Sequence, residues 1–146
     1  HNVLNTFEAL LKQNVVPIVN ENDTVAVDEL DHETKFGDND QLSAIVATNI
    51  GADLLIMLSD IDGFYTGNPN ADAKAQLLAH VAKVDQQTYE LAGGSGSRFG
   101  TGGMVTKLKA AERMIDANGQ MILANGEDPT IVFRILAGEP VGTLFG

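Results

Sequence analysis

The chain has 146 residues, 44% of them apolar and 20% charged, enough for one domain with a sizeable core. A formal net charge of −11 sets most of its surface against a nucleic-acid partner, and the lack of cysteine removes disulfides, thiolate catalysis and Cys-based metal sites. No apolar run approaches the roughly 20 residues of a membrane span and no basic-then-apolar leader is seen, so the expectation is a cytoplasmic protein with no membrane partner.

Residues 2–13 read as a helix, because Val3, Leu4, Phe7, Leu10 and Leu11 recur on one face. The run Val15-Val16-Pro17-Ile18-Val19 reads as a buried strand, with Pro17 a mild objection, and it ends in Asn20-Glu21-Asn22-Asp23. Residues 24–37 are acidic and alternate loosely, as a hairpin or flap would. Asp38 or Asp40 is placed to cap a helix that runs to Asn49 and stops at Gly51.

Leu54-Leu55-Ile56-Met57-Leu58 is a second apolar strand, ending in the polar turn Ser59-Asp60-Ile61-Asp62-Gly63. Residues 66–80 carry the breakers Gly67, Asn68, Pro69 and Asn70 and read as loop and short connections. A short helix is expected over 85–92, then a glycine-rich stretch, a helix over 104–118 stopped by Gly119, and a third strand over 121–124 ending at Asn125-Gly126. A last helix over 130–137 and a closing strand over 141–145 complete the chain.

Strands and helices alternate, and the strands are continuously apolar. The predicted fold is therefore a layered α/β/α sandwich with a mostly parallel central sheet. In such sheets ligands lie beyond the carboxyl ends of the strands, so Asn20 to Asp23, Ser59 to Gly63 and Asn125-Gly126 are the candidate site walls.

Four constellations can carry chemistry. Gly100-Thr101-Gly102-Gly103-Met104-Val105-Thr106-Lys107 opens a helix. Glycines admit a phosphate close to the backbone, the free amides of a helix start point at the anion, and Lys107 can neutralise charge on a transferring phosphoryl group. Its spacing is not that of a Walker A loop, and the bland alternative is a flexible loop before an amphipathic helix. Asn20-Glu21-Asn22-Asp23 can hold a substrate ammonium and carboxylate, or serve as a plain capped turn. Gly37-Asp38-Asn39-Asp40 is either an N-cap or a place where Asn39 holds a carboxylate and Asp40 orients lysines or a Mg²⁺ hydration shell. Ser59-Asp60 with Asp62-Gly63 is a turn or a nucleotide contact. His1, His32 and His80 have no spacing that reads as a metal site, and no metal ligands are assigned.

Taken together and in this order, these segments resemble the amino-acid kinase family, and within it the glutamate 5-kinases. The carrying residues are Val16-Pro17-Ile18-Val19 with Asn20-Glu21-Asn22-Asp23, Gly37-Asp38-Asn39-Asp40 with Leu42-Ser43-Ala44, Asp60-Ile61-Asp62-Gly63-Phe64-Tyr65, Gly100 to Lys107, and Val141-Gly142-Thr143-Leu144-Phe145. The resemblance implies ATP-dependent phosphorylation of the side-chain carboxylate of L-glutamate, the first step of proline biosynthesis. It places Asn20, Asp23 and Asn39 at glutamate, Asp40 as the acid that organises catalytic lysines, and Lys107 at the transferring phosphoryl group. It places Ser59, Asp60, Thr101, Gly102, Gly103, Met104, Val105, Thr106 and Lys107 at the nucleotide, with Mg²⁺ held mainly by the ATP phosphates and water. It also implies a homo-oligomer and proline as feedback inhibitor. Family chains begin with a further lysine-bearing glycine loop that nothing here matches, so the expectation is the C-terminal part of one such domain, with negligible kinase activity by itself. The competing readings are a kinase for another small acid or a nucleotide, and a non-catalytic module that senses an amino acid.

Overall fold

The computed structural model describes residues 2–20, 39–93 and 102–146. Nine elements follow in order: α1 (Asn2–Lys12), α2 (Asn39–Asn49), β1 (Leu54–Ser59), β2 (His80–Val81), α3 (Gln86–Leu91), α4 (Gly102–Asp116), β3 (Gln120–Asn125), α5 (Ile131–Leu136) and β4 (Thr143–Phe145). The four described strands form one sheet in the order β1-β3-β4-β2. β1 runs parallel to β3, with Leu54 opposite Gln120 and Ser59 opposite Asn125, and β2 runs parallel to β4. β3 and β4 are antiparallel, so the sheet is mixed, with two of its three pairings parallel.

Helix α2 lies on β1 and α4 on β3, and the two helices pack on each other. Their contact is built from small side chains: Ala44 and Ala47 on α2 and Ala110 and Ala111 on α4 are all buried. Alanines let two helix backbones approach closely, so the first turns of α2 and α4 come side by side. Leu108, Met114, Met121, Leu123 and Phe145 fill the space beneath, each with 1% exposure or less. Burying one such side chain is worth about 1.5–3 kcal/mol, so this core holds the helix pair to the sheet.

The helix stops have distinct chemistry. After α2, Gly51 sits at φ +69°, its N–H bonds the Thr48 carbonyl, and the Ala52 N–H reaches the Ala47 carbonyl, which is a Schellman ending. After α4 the same pair of bonds is made by Asn118 and Gly119, but the left-handed residue is Asn118, at φ +61°. Gly119 stands where the stop is expected, without the left-handed backbone of Gly51. It serves by size instead, because a Cβ there would lie 2.8 Å from the Met114 methyl carbon and 3.3 Å from the Ala52 carbonyl oxygen.

One strand expectation fails. Residues 15–20 form no strand, and Val16 and Ile18 are 81% and 92% exposed. An apolar run becomes a strand only with a neighbour to pair with; Pro17 offers no N–H, and no described strand lies beside it. α1 forms as expected, with Val3, Leu4, Phe7 and Leu10 partly buried and Leu11 54% exposed, so its apolar face is incompletely covered. The expected flap over residues 24–37 lies outside the described residues.

Candidate functional site

The strongest candidate lies at the carboxyl end of β1. A cavity of about 600 Å³ opens there, between Ser59, Asp60 and Ile61 at the strand end and Gly103, Met104 and Lys107 on the first turns of α4. Its other walls are Gly63 to Tyr65, the loop at residues 67–71, and the end of α3 at residues 91–93. The β1 edge is braced from β3. Asn125, paired with Ser59 in the sheet register, donates from Nδ2 to Asp62 Oδ1 at 3.1 Å, and the Gly126 N–H bonds the Ser59 carbonyl at 2.8 Å. The Ser59 hydroxyl in turn reaches Asp60 Oδ1 at 3.1 Å.

On the opposite wall, a side chain at Gly103 would meet none of the described residues within 4 Å. Packing against the described residues therefore does not require glycine there, and glycine adds no side chain over the amides of the helix start. Those amides have no partner within a helix and carry the positive end of the dipole. Lys107 adds a full charge one turn further on. An anionic group fits between them, and the lining of glycine backbone, aromatic Phe64 and Tyr65 and the amides of Asn68 and Asn70 suits a nucleotide.

Lys107 does not stand alone. Its Nζ lies 3.1 Å from Asp40 Oδ2, with the two side chains only 15% and 19% exposed. The Thr106 hydroxyl donates to the same carboxylate oxygen at 2.9 Å, and Gln41 Nε2 donates to the Thr106 carbonyl at 2.7 Å. Three contacts therefore lock the start of α2 to the start of α4, 67 residues apart in sequence at the ion pair. Asp40 falls inside the first turn of α2, where a negative charge is favoured by the helix dipole, rather than at the cap.

Of the residues read from the sequence, Ser59, Asp60, Gly103, Met104 and Lys107 line one cavity, and Asp40 joins them through Lys107. Gly102 begins α4, and Val105 lies half-buried on it without lining the cavity. Thr106 turns its hydroxyl to Asp40, with the Gly103 carbonyl as an alternative acceptor at 2.9 Å, so it braces the lysine and does not line the cavity. Asn39 is exposed at the first position of α2, next to Asp40, and Asn20 is exposed beyond α1; neither lines the cavity. Asp23 and Thr101 lie outside the described residues. Sequence reasoning missed Gln41, the loop at 67–71 and the α3 end. The Gly-Asn-Pro-Asn breakers at 67–70 are visible in the sequence, but a breaker signals a turn and does not say what the turn faces.

Titration in this region follows burial and neighbours. Burial first, then the Asp62 charge, pushes the Tyr65 phenol above its ordinary value. Tyr89 on α3 is pushed up further, by burial and by its 2.6 Å hydrogen bond to Glu112 on α4. Both tyrosines are therefore held neutral beside the cavity walls.

Comparison with known proteins gives the family and the fold. The chain matches the amino acid kinase family over residues 1–125. It is 93% identical over all 146 residues to a glutamate 5-kinase of Lactiplantibacillus plantarum, and 61% identical over 145 residues to one of Enterococcus faecalis. It spans 55% and 54% of those two proteins, about half the length of the curated relatives it matches. Among solved structures, the uridylate kinase of Archaeoglobus fulgidus superposes with a TM-score of 0.59 at 21% identity, over 96% of this chain and 67% of that one. The isopentenyl phosphate kinase of T. acidophilum superposes with a TM-score of 0.54 at 22% identity, over 73% of this chain and 38% of that one. At such identities the likeness is one of fold. On the match over residues 1–125, the chain belongs to the amino acid kinase family.

Proposed function

We propose that the protein carrying this chain transfers the γ-phosphoryl group of ATP to the side-chain carboxylate of L-glutamate. The observation that carries the reading is the Lys107–Asp40 pair, 3.1 Å apart, at the wall of a cavity faced by a glycine-opened helix start. The names of the relatives support glutamate as the acceptor. An oxygen of the ionised carboxylate forms a bond to the γ-phosphorus, and the bond to the β,γ-bridging oxygen breaks, releasing ADP. No base is needed, since a carboxylate is already deprotonated near neutral pH. Lys107 offsets the charge that spreads over the transferring oxygens, and Asp40, Thr106 and Gln41 hold it in one orientation. Asn39, one residue before Asp40, together with Asn20 and Asp23, is read as binding glutamate. Mg²⁺ enters with ATP, held mainly by its phosphates and by water.

The pathway to proline, proline as feedback inhibitor, a homo-oligomeric state and a cytoplasmic location belong to the same proposal and rest on the resemblance to glutamate 5-kinases alone. No described helix is long and apolar enough to cross a membrane. The test is Mg·ATP turnover by the longest natural chain that carries these residues, with L-glutamate, D-glutamate, aspartate, N-acetylglutamate and UMP as acceptors and hydroxylamine to trap the acyl phosphate. Turnover with L-glutamate alone, abolished in Lys107→Met, is expected. Turnover with UMP and none with L-glutamate would overturn the reading.

A further inference from the structure

Residues 141–145 carry no role in the reading above, yet Thr143 is the one polar side chain in the described core with no exposure at all. It makes two hydrogen bonds. Its Oγ1 accepts from the Phe64 N–H at 2.9 Å and donates to the Leu78 carbonyl at 2.6 Å. Those two backbone groups belong to opposite arms of a short antiparallel ladder. The Leu78 N–H bonds the Phe64 carbonyl at 2.8 Å, Tyr65 bridges Leu77, and the Thr66 N–H bonds the Gln76 carbonyl at 2.9 Å. In an ordinary closely bonded antiparallel pair the Phe64 N–H would meet the Leu78 carbonyl directly. Here the hydroxyl stands between them and completes that rung.

The ladder matters because of what it carries. Gly63, Phe64 and Tyr65 on its first arm, and residues 67–71 beyond it, form much of the cavity wall. Room for the hydroxyl comes from Gly63, where a Cβ would lie 2.7 Å from Thr143 Oγ1. Thr143 itself does not line the cavity, and β4 holds it in the sheet beside β3.

We propose that Thr143 is a positioning residue: its buried hydroxyl closes the base of the 64–78 ladder and so sets the nucleotide-facing wall of the cavity. The proposal rests on the reading of that cavity as the nucleotide site. A valine keeps the shape but leaves a buried N–H and a buried carbonyl without partners, so the ladder base opens and the wall must be ordered at the expense of binding.

The experiment measures Mg·ADP affinity by calorimetry, and amide hydrogen exchange, in the longest natural chain carrying these residues. The variants are Thr143→Val, Thr143→Ser, and Ile135→Val as a core control that does not line the cavity. Thr143→Val is expected to weaken Mg·ADP about tenfold, with faster exchange at the Phe64 amide than in β3. Thr143→Ser is expected to restore both, while Ile135→Val loses stability without losing affinity. Unchanged Mg·ADP affinity in a folded Thr143→Val, or an equal loss in Ile135→Val, overturns the proposal. Should Thr143→Val not fold, wild-type affinity in Thr143→Ala overturns it equally. Wild-type protein that binds no Mg·ADP overturns the proposal together with the nucleotide reading, and fast Phe64 exchange in Thr143→Val then locates the failure in the reading and not in the ladder.

Discussion

Replacing Asp40 by asparagine is the sharpest test of how the site is held. The substitution keeps the size of the side chain and an oxygen that can accept from Lys107 Nζ, 3.1 Å away, and from the Thr106 hydroxyl, 2.9 Å away. What it removes is the charge. Hydrogen bonds to charged groups are worth about 1.5–3 kcal/mol and neutral ones about 1 kcal/mol. The lysine would also keep its charge in a pocket where its side chain is only 15% exposed. Together these place the loss of stability at about 2 kcal/mol, short of the roughly 3–5 kcal/mol typical of breaking a fully buried pair. With a urea m-value of about 2 kcal/mol per molar, the unfolding midpoint should fall by about 1 M. Turnover should fall at least about a hundredfold, since a lysine displaced by about 1 Å no longer meets the transferring group. In a double-mutant cycle, Lys107→Met should cost far less in the Asp40→Asn background than in the wild type. An unchanged midpoint would show that the pair does not tie α2 to α4. A lowered midpoint with wild-type turnover would show that Asp40 holds the fold and not the lysine, and the mechanism would fail there.

Other consequences follow from single residues. The chain has two tyrosines, and both phenols are raised, Tyr65 by burial and Asp62 and Tyr89 by burial and Glu112. Their neutral forms are the stabilising ones, so this contribution is complete below the ordinary phenol value near 10.0 and is lost as pH rises through the raised folded values. Absorbance titration at alkaline pH should find less tyrosinate at about pH 10 in the folded protein than the roughly half ionisation expected in urea. Asp85 caps α3 by accepting from the Thr88 N–H at 3.0 Å, and that bond depresses its carboxyl. Its contribution is present above the ordinary value near 3.8 and is lost as pH falls through the depressed one, so Thr88 and Tyr89 amide protection should drop there, and an Asp85→Asn variant should show no such step. Gly142 sits at φ +66° with the Leu123 carbonyl oxygen where a Cβ would go, so Gly142→Ala should destabilise the sheet by about 3 kcal/mol in denaturant unfolding.

Local signals decided most of the elements. The apolar runs at β1 and β3, the breakers between them and the helix starts after glycine or acid are properties of a few adjacent residues, and the structure places them within one or two positions of expectation. The glycine-rich start of α4 and Lys107 were legible as a candidate for the same reason, since the residue types an anion site needs stand in one short stretch. What tertiary structure alone decided is which distant stretches meet. The pairing of Asp40 with Lys107 across 67 residues was implied by the family resemblance, but no local pattern contains that contact, which depends on alanines letting two helices close. Residues 15–19 carry the pattern of a buried strand and stand exposed, because hydrophobicity marks a segment fit to pair but does not supply the partner. The antiparallel placement of β4, which brings the Thr143 hydroxyl between Phe64 and Leu78, likewise comes from the order of strands in the sheet, a property of the whole chain and of no segment in it.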